Sequence, residues 1–243
     1  MFGSAYWQYY LMGIILLPGL LFAMYAQWKV SSTYAKYRKV MSQKQVCAGD
    51  FVRSLLPTCG LTHLTVKKIS GELTDHYDPR SEEICLSDGV YDSQSVASLG
   101  IACHELGHAL QKKEKYAPYQ IRRILVPVTN IASTLLWPLV VIGLIFNIAA
   151  TDGSLIGNIF LWSGIGFFGF AVLFNLATLP VEFDASRRSL KILESTGTLN
   201  EEELDQTREV LRAAALTYVA ALVVSILNFL RFLIVILSKR DRK

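Results

Sequence analysis

The sequence predicts a mainly α-helical membrane protein with about four transmembrane helices and a small α+β unit on the cytoplasmic side. First, 52% of its 243 residues are hydrophobic and only 18% are charged, an unusual balance for a soluble domain. Second, the charges are segregated. No Lys, Arg, Asp or Glu occurs from Met1 to Trp28, from Ile124 to Thr151 or from Gly153 to Val181, and each run exceeds the ~20 apolar residues that span a bilayer. Third, the polar segments between these runs contain short alternating stretches, turn residues and one motif with chemical meaning, His104-Glu105-Leu106-Gly107-His108.

The charge-free runs place transmembrane helices at about Tyr6 to Gln27, Leu125 to Ile148 and Leu155 to Leu179. None leaves a water-facing stripe, so none reads as the buried helix of a soluble fold. A fourth span runs from Ala213 to Leu237; Arg231 interrupts it, but an arginine near a helix end can reach the headgroups. The first run lacks a basic leader and is too long for a cleavable signal peptide, so it reads as an anchor. No Lys or Arg precedes Lys29, fourteen lie between Lys29 and Arg123, none lies in the link around Asp152, and five lie from Arg187 to Arg212. The positive-inside rule therefore puts both polar segments in the cytoplasm, in a multi-pass protein of the plasma (inner) membrane. The tail Ser238 to Lys243 carries four basic residues and opposes this orientation if the fourth segment spans.

The resulting division is an N-terminal anchor (1–28), a first catalytic segment (29–123), a membrane hairpin (124–180), a second catalytic segment (181–212), and a C-terminal membrane helix with a basic tail (213–243). Within it, Ser31 to Leu56 reads as a basic helix stopped by Pro57 and Gly60. Leu64 to Ile69 and Glu83 to Ser87 read as two short strands, and the edge of such a sheet can take an extended peptide by main-chain pairing. The motif helix follows, capped by Ser93 or Ser95, with Val96, Leu99, Cys103, Leu106 and Leu110 on its buried side. Gly107 lowers helix propensity, which points to close packing at that position. Gln111 to Arg123 reads as a polar linker, and Asn200 as the cap of a charged helix ending near Arg212. Cys47, Cys59, Cys85 and Cys103 have no metal-type spacing and read as reduced, small hydrophobes.

On a helix His104 and His108 lie one turn apart on the same face and can converge on one ion, for which zinc is the expectation. Glu105 sits about 100° around the axis, off the ligand face and suited to act as a general base. A catalytic zinc takes a third protein ligand. His63 and His76 both precede the motif. After it, Glu182 at the mouth of the third span is the foremost candidate and Asp184 its competitor.

The combination of His104-Glu105-Leu106-Gly107-His108, Leu73-Thr74-Asp75-His76-Tyr77-Asp78-Pro79, Leu179-Pro180-Val181-Glu182-Phe183-Asp184-Ala185-Ser186-Arg187-Arg188 and Ala213-Ala214-Ala215-Leu216-Thr217-Tyr218-Val219-Ala220 resembles the YugP-like family of bacterial membrane zinc metallopeptidases. A more distant similarity extends to the CAAX prenyl protease and the bacterial heat-shock membrane protease. The resemblance implies a zincin-like catalytic unit facing the cytoplasm, with His104, His108 and Glu182 as zinc ligands and Glu105 as general base. The distant relatives carry an aspartate where this chain has Ser186, so support for the ligands must come from elsewhere.

Two places offer candidates for stabilising an oxyanion, His76 or its neighbour Tyr77 in one and Tyr218 in the other. His76 lies in a stretch that also reads as plain turn chemistry, and Tyr218 lies in an apolar helix where packing is the competing reading. The expected activity is zinc-dependent hydrolysis of proteins or peptides presented near the membrane surface, with the bilayer and an unidentified membrane protein as partners and no nucleic acid. The alternatives are a non-catalytic zinc-binding scaffold and a site-2-type intramembrane protease.

Overall fold

The computed structural model of the protein describes residues 13–149 and 155–240. Its elements are α1 (Leu17–Tyr37), α2 (Ala48–Leu55), β1 (Thr65–Ile69), β2 (His76–Asp78), β3 (Glu83–Ser87), α3 (Asp88–Tyr91), α4 (Val96–Lys113), α5 (Ala117–Ala149), α6 (Leu155–Ser195) and α7 (Glu201–Arg240). The chain divides into two compact units. The first draws its described residues from Met1–Tyr25, Ile121–Thr178 and Tyr218–Lys243, and the second consists of Ala26–Gln120 and Leu179–Thr217.

The first unit is helical. Among the described residues three helices are long and apolar enough to cross a membrane, within Ala117–Gly143, Leu155–Ser195 and Glu201–Ile234. Ile124, Ile131, Trp137, Leu155 and Leu173 stand exposed on them, as expected of surfaces that meet lipid. Where lipid supplies no hydrophobic drive for association, close backbone approach does, and small residues permit it. A Cβ on Gly143 would lie 3.1 Å from the Gly157 carbonyl oxygen, and one on Gly19 would lie 2.6 Å from Leu227 Cδ1. Phe168 and Phe232 stack with ring centroids 4.5 Å apart. Of the expected first span, residues 6–12 lie outside the described residues, as do the link 150–154 and residues 241–243 of the tail.

The second unit is built around α4 and a three-stranded sheet of order β1-β3-β2. Strand β3 is central, parallel to β1 (Val66 opposite Ile84) and antiparallel to β2 (Tyr77 opposite Ile84). Ile84 and Leu86 of β3 are fully buried and join Val52, Val90, Val96, Leu99, Leu106 and Leu193 in one core. Ser95 caps α4, its hydroxyl accepting from the Ser98 amide at 3.1 Å, and Lys112 and Lys113 sit in the last turn where cations suit the helix dipole.

Four expectations need correction. The basic helix over 31–56 is two helices, because α1 ends at Tyr37 and α2 begins at Ala48. Between them the chain pairs with the residues entering α4: Ser42 N donates to Gln94 O and Val96 N to Val40 O, both at 2.9 Å, and Gln45 turns the chain with φ 49°. Tertiary pairing here overrides local helix propensity. The sheet has a third strand, β2, too short to show alternation. The linker over 111–123 shrinks to three residues, since α4 continues to Lys113 and α5 begins at Ala117, with Lys115 at φ 54° between them. The charged stretch after Asn200 and the fourth apolar segment form one uninterrupted helix, α7. Its start is capped reciprocally: Asn200 Oδ1 accepts from the Glu203 amide and Glu203 Oε2 from the Asn200 amide, each at 2.9 Å.

Candidate metal centre

The centre is made by bare backbone. A Cβ on Gly107 would lie 2.9 Å from the Ala185 carbonyl oxygen and 3.2 Å from Ala185 Cα, so α4 seats directly on the C-terminal part of α6. The contact repeats two turns earlier, where the Ser189 hydroxyl donates to Gly100 O at 2.8 Å. Glu182 precedes Ala185 by about one turn and thereby faces the two histidines.

His104 Nε2 lies 3.3 Å and His108 Nε2 3.6 Å from Glu182 Oε2, and the imidazole rings stand nearly perpendicular with centroids 4.7 Å apart. One ligand atom from each of the three residues lies within 4.8 Å of the others, the metal-competent cluster among the described residues. Zinc bonds of about 2.0–2.1 Å in tetrahedral geometry place neighbouring ligand atoms about 3.4 Å apart, close to the two nitrogen–oxygen separations of 3.3 and 3.6 Å. Glu182 is only 1% exposed. A buried carboxylate facing two imidazole nitrogens suits a cation between them, a proton or a metal. The donor set of two nitrogens and one carboxylate oxygen is that of a catalytic zinc site.

Electrostatics agree. Burial by itself would lower the His108 pKa, but the bond to Glu182, the charges of Glu105 and Glu182, and the bond to Gln111 together raise it above the ordinary histidine value. Cys103, the neighbour of His104, is fully buried and its thiol is pushed up by desolvation, which makes it an inert core residue.

The far nitrogens of both rings are also held. Ser186 Oγ lies 3.3 Å from His104 Nδ1, so this ring has a partner at Ser186 itself, where the sequence predicts support only from elsewhere. Gln111 Oε1 accepts from His108 Nδ1 at 3.0 Å, and Gln111 Nε2 donates to Val181 O at 2.8 Å and Asp184 Oδ2 at 3.0 Å. Asp184 also accepts from Arg187, and from Arg188 Nε at 2.5 Å, while Arg188 pairs with Glu114 at 2.7 Å. Asp184 is thus engaged with Gln111 and arginines rather than clustered with the histidines. Sequence reasoning missed Gln111, although its spacing of three from His108 puts it on the same helical face.

Glu105 is buried in α4 at 8% exposure, and its charge acts on both His108 and Asp75. His76 lies outside the three-residue cluster, exposed on β2 with Nδ1 2.8 Å from Thr74 O. Tyr218 is half-buried in α7 and belongs to the other compact unit. His63 lies 4.0 Å from Glu82. Two ties fix β2: Asp75 Oδ1 accepts from Ser87 N at 2.7 Å, and Lys112 Nζ donates to Pro79 O at 2.9 Å and Glu82 Oε1 at 3.1 Å.

A helical membrane protein in which the two histidines of an H-E-x-x-H helix meet a buried glutamate from a second helix has the construction of a membrane zinc metallopeptidase. The family described as "Putative neutral zinc metallopeptidase" matches residues 12–237, and the chain belongs to it. The chain is 40% identical over 220 residues to the "Putative membrane protease YugP" of Bacillus subtilis (strain 168), an alignment covering 90% of this chain and 93% of that protein. No solved structure matches it.

Proposed function

We propose that the protein is a zinc-dependent endopeptidase of the plasma membrane in which His104, His108 and Glu182 hold the metal and Glu105 is the general base. The observation that carries this reading is the convergence of two Nε2 atoms on Glu182 Oε2 in a buried site beside an intact Glu105. Bound there, zinc lowers the pKa of a water to about 7 and polarises a carbonyl oxygen. Glu105 takes up a proton on its carboxylate and returns it to the departing amine. His76 and Tyr218 are the candidates for stabilising the oxyanion. Strand β2 is an edge of its sheet, tied to α4 through Lys112, and its open side suits main-chain pairing with an extended substrate.

Substrates on this reading are membrane proteins or peptides presented near the cytoplasmic surface. The basic residues of both polar segments support that side, and the apolar run before Lys29 supports a further N-terminal anchor, so that the five-part division 1–28, 29–123, 124–180, 181–212 and 213–243 describes the topology. The motif helix α4 is not among the three helices fit to span, which disfavours a site-2-type intramembrane protease. A non-catalytic zinc scaffold is the second reading, and Glu105 argues against it because a structural zinc has no use for a base.

The test is cleavage of a denatured casein-type substrate by the full chain in detergent, wild type against Glu105→Gln. Cleavage by wild type that is abolished in a Glu105→Gln protein still loaded with zinc supports the peptidase. Equal cleavage by both overturns the role of Glu105, and zinc-loaded wild type that cleaves neither casein nor co-purifying membrane proteins favours the scaffold.

A further inference from the structure

We infer that Gln111 is a positioning residue that fixes His108 in one tautomer and locks it to the stretch of α6 carrying Glu182; this rests on the zinc site proposed above. Arg187 and Arg188 both donate to Asp184, leaving its carboxylate an acceptor toward Gln111. Gln111 Nε2 faces two acceptors at once, Asp184 Oδ2 at 3.0 Å and Val181 O at 2.8 Å. A flipped amide would press its oxygen against a carbonyl and a carboxylate, so Oε1 must point to His108. Oε1 can only accept, so His108 Nδ1 carries a hydrogen, and in the neutral ring that would bind a metal the lone pair is left on Nε2, on the side of Glu182.

The two anchors of the amide, Val181 and Asp184, flank Glu182 in sequence and lie on the same helix. The amide is therefore a bracket: one end orients a ligand of α4 and the other grips the backbone beside the ligand of α6. Gln111 is fully buried and Asp184 nearly so, and neither offers a ligand atom to the cluster. A buried glutamine with all three of these bonds made has no water to substitute for any of them.

Partners that orient metal-bound histidines are worth roughly 10- to 100-fold in metal affinity. The test uses the full chain in detergent and measures three quantities: the zinc dissociation constant by chelator competition, the visible absorption of the cobalt(II)-substituted protein, and the thermal midpoint of the metal-free form. Gln111→Met keeps an unbranched side chain of similar length while removing donors and acceptor. The expected result is a zinc dissociation constant raised roughly 10- to 100-fold with an altered cobalt spectrum, in a protein whose metal-free form still melts cooperatively. A lower midpoint with affinity and cobalt spectrum unchanged would make Gln111 a mere helix fastener and overturn the proposal.

If Gln111→Met fails to fold, Gln111→Glu serves. It sets a carboxylate against Asp184 and is expected to lose affinity, with recovery when Asp184→Asn restores a donor at that contact. Absence of recovery overturns the proposal. A wild type that binds no zinc is a distinct result, visible before any variant is made, and removes the zinc site itself.

Discussion

Gly107 and Ala185 meet backbone to backbone: a Cβ on the glycine would lie 2.9 Å from the alanine's carbonyl oxygen. That contact sets the distance between the helix bearing both histidines and the helix bearing Glu182. In an ordinary exposed helix Gly→Ala gains up to about 1 kcal/mol. Here the obstructing atom is main chain and cannot rotate away, so the sign reverses. Gly107→Ala is expected to destabilise the protein by about 1–3 kcal/mol and to weaken zinc binding, because the added methyl pushes Glu182 from the imidazoles. Thermal unfolding with chelator competition on the same preparation reads both effects.

The cap of α7 offers a contrast. Asn200→Ala removes one of two reciprocal bonds and is expected to cost about 1 kcal/mol. Glu203 also accepts from Gln43 N at 2.7 Å, so Glu203→Ala is expected to cost more. Neither residue touches the histidines, and zinc affinity measured on the folded protein should be unchanged in both variants.

Asp75 ties the start of β2 to the end of β3 through the Ser87 amide. Burial raises its pKa, the bonds from Ser87 oppose the rise, and the charge of Glu105 adds to it. A carboxyl raised in the folded state contributes stability that is fully present below its unfolded value near 3.8 and is lost as pH rises through the folded value. Asp75→Asn keeps an acceptor for Ser87 without the charge and should be close to neutral in stability at pH 7. Asp75→Ala leaves a buried amide unpaired and should cost about 1–3 kcal/mol, read by thermal unfolding.

Metal binding and stability should respond to pH in opposite directions. His108 has a raised pKa in the metal-free protein, so protons compete with zinc from above pH 6.5 downward. Apparent affinity should fall about tenfold per pH unit below that pKa. In the metal-free protein the same raised value is stabilising: the contribution is complete below pH 6.5 and disappears as pH rises through the folded pKa. Thermal midpoints of loaded and metal-free protein across pH 5–9 should therefore diverge.

How far the sequence carries can be seen residue by residue. His104 and His108 share a face because a spacing of four is local information, and Gly107 between them already signals close packing. The nearness of Glu182 is legible through one long-range cue, the two charge-free runs from Ile124 to Thr151 and from Gly153 to Val181, which read together as a hairpin. Gln111 is not legible in the same way. It opens the run Gln111-Lys112-Lys113-Glu114-Lys115, which looks solvated, and only the arrival of α6 buries it. The break after Tyr37 is hidden for the same reason: pairing of Val40 and Ser42 with the entrance to α4 is tertiary, and no local pattern encodes it.

The central claim is that these three side chains hold one zinc, and metal stoichiometry tests it most directly. Protein purified in detergent, dialysed against a weak chelator and assayed by atomic emission should carry about one zinc per chain as wild type and as Glu105→Gln, and lose it as Glu182→Ala or His108→Ala. Full zinc retention by a folded Glu182→Ala protein would contradict the account, since the buried carboxylate between the two imidazoles would then not be a ligand.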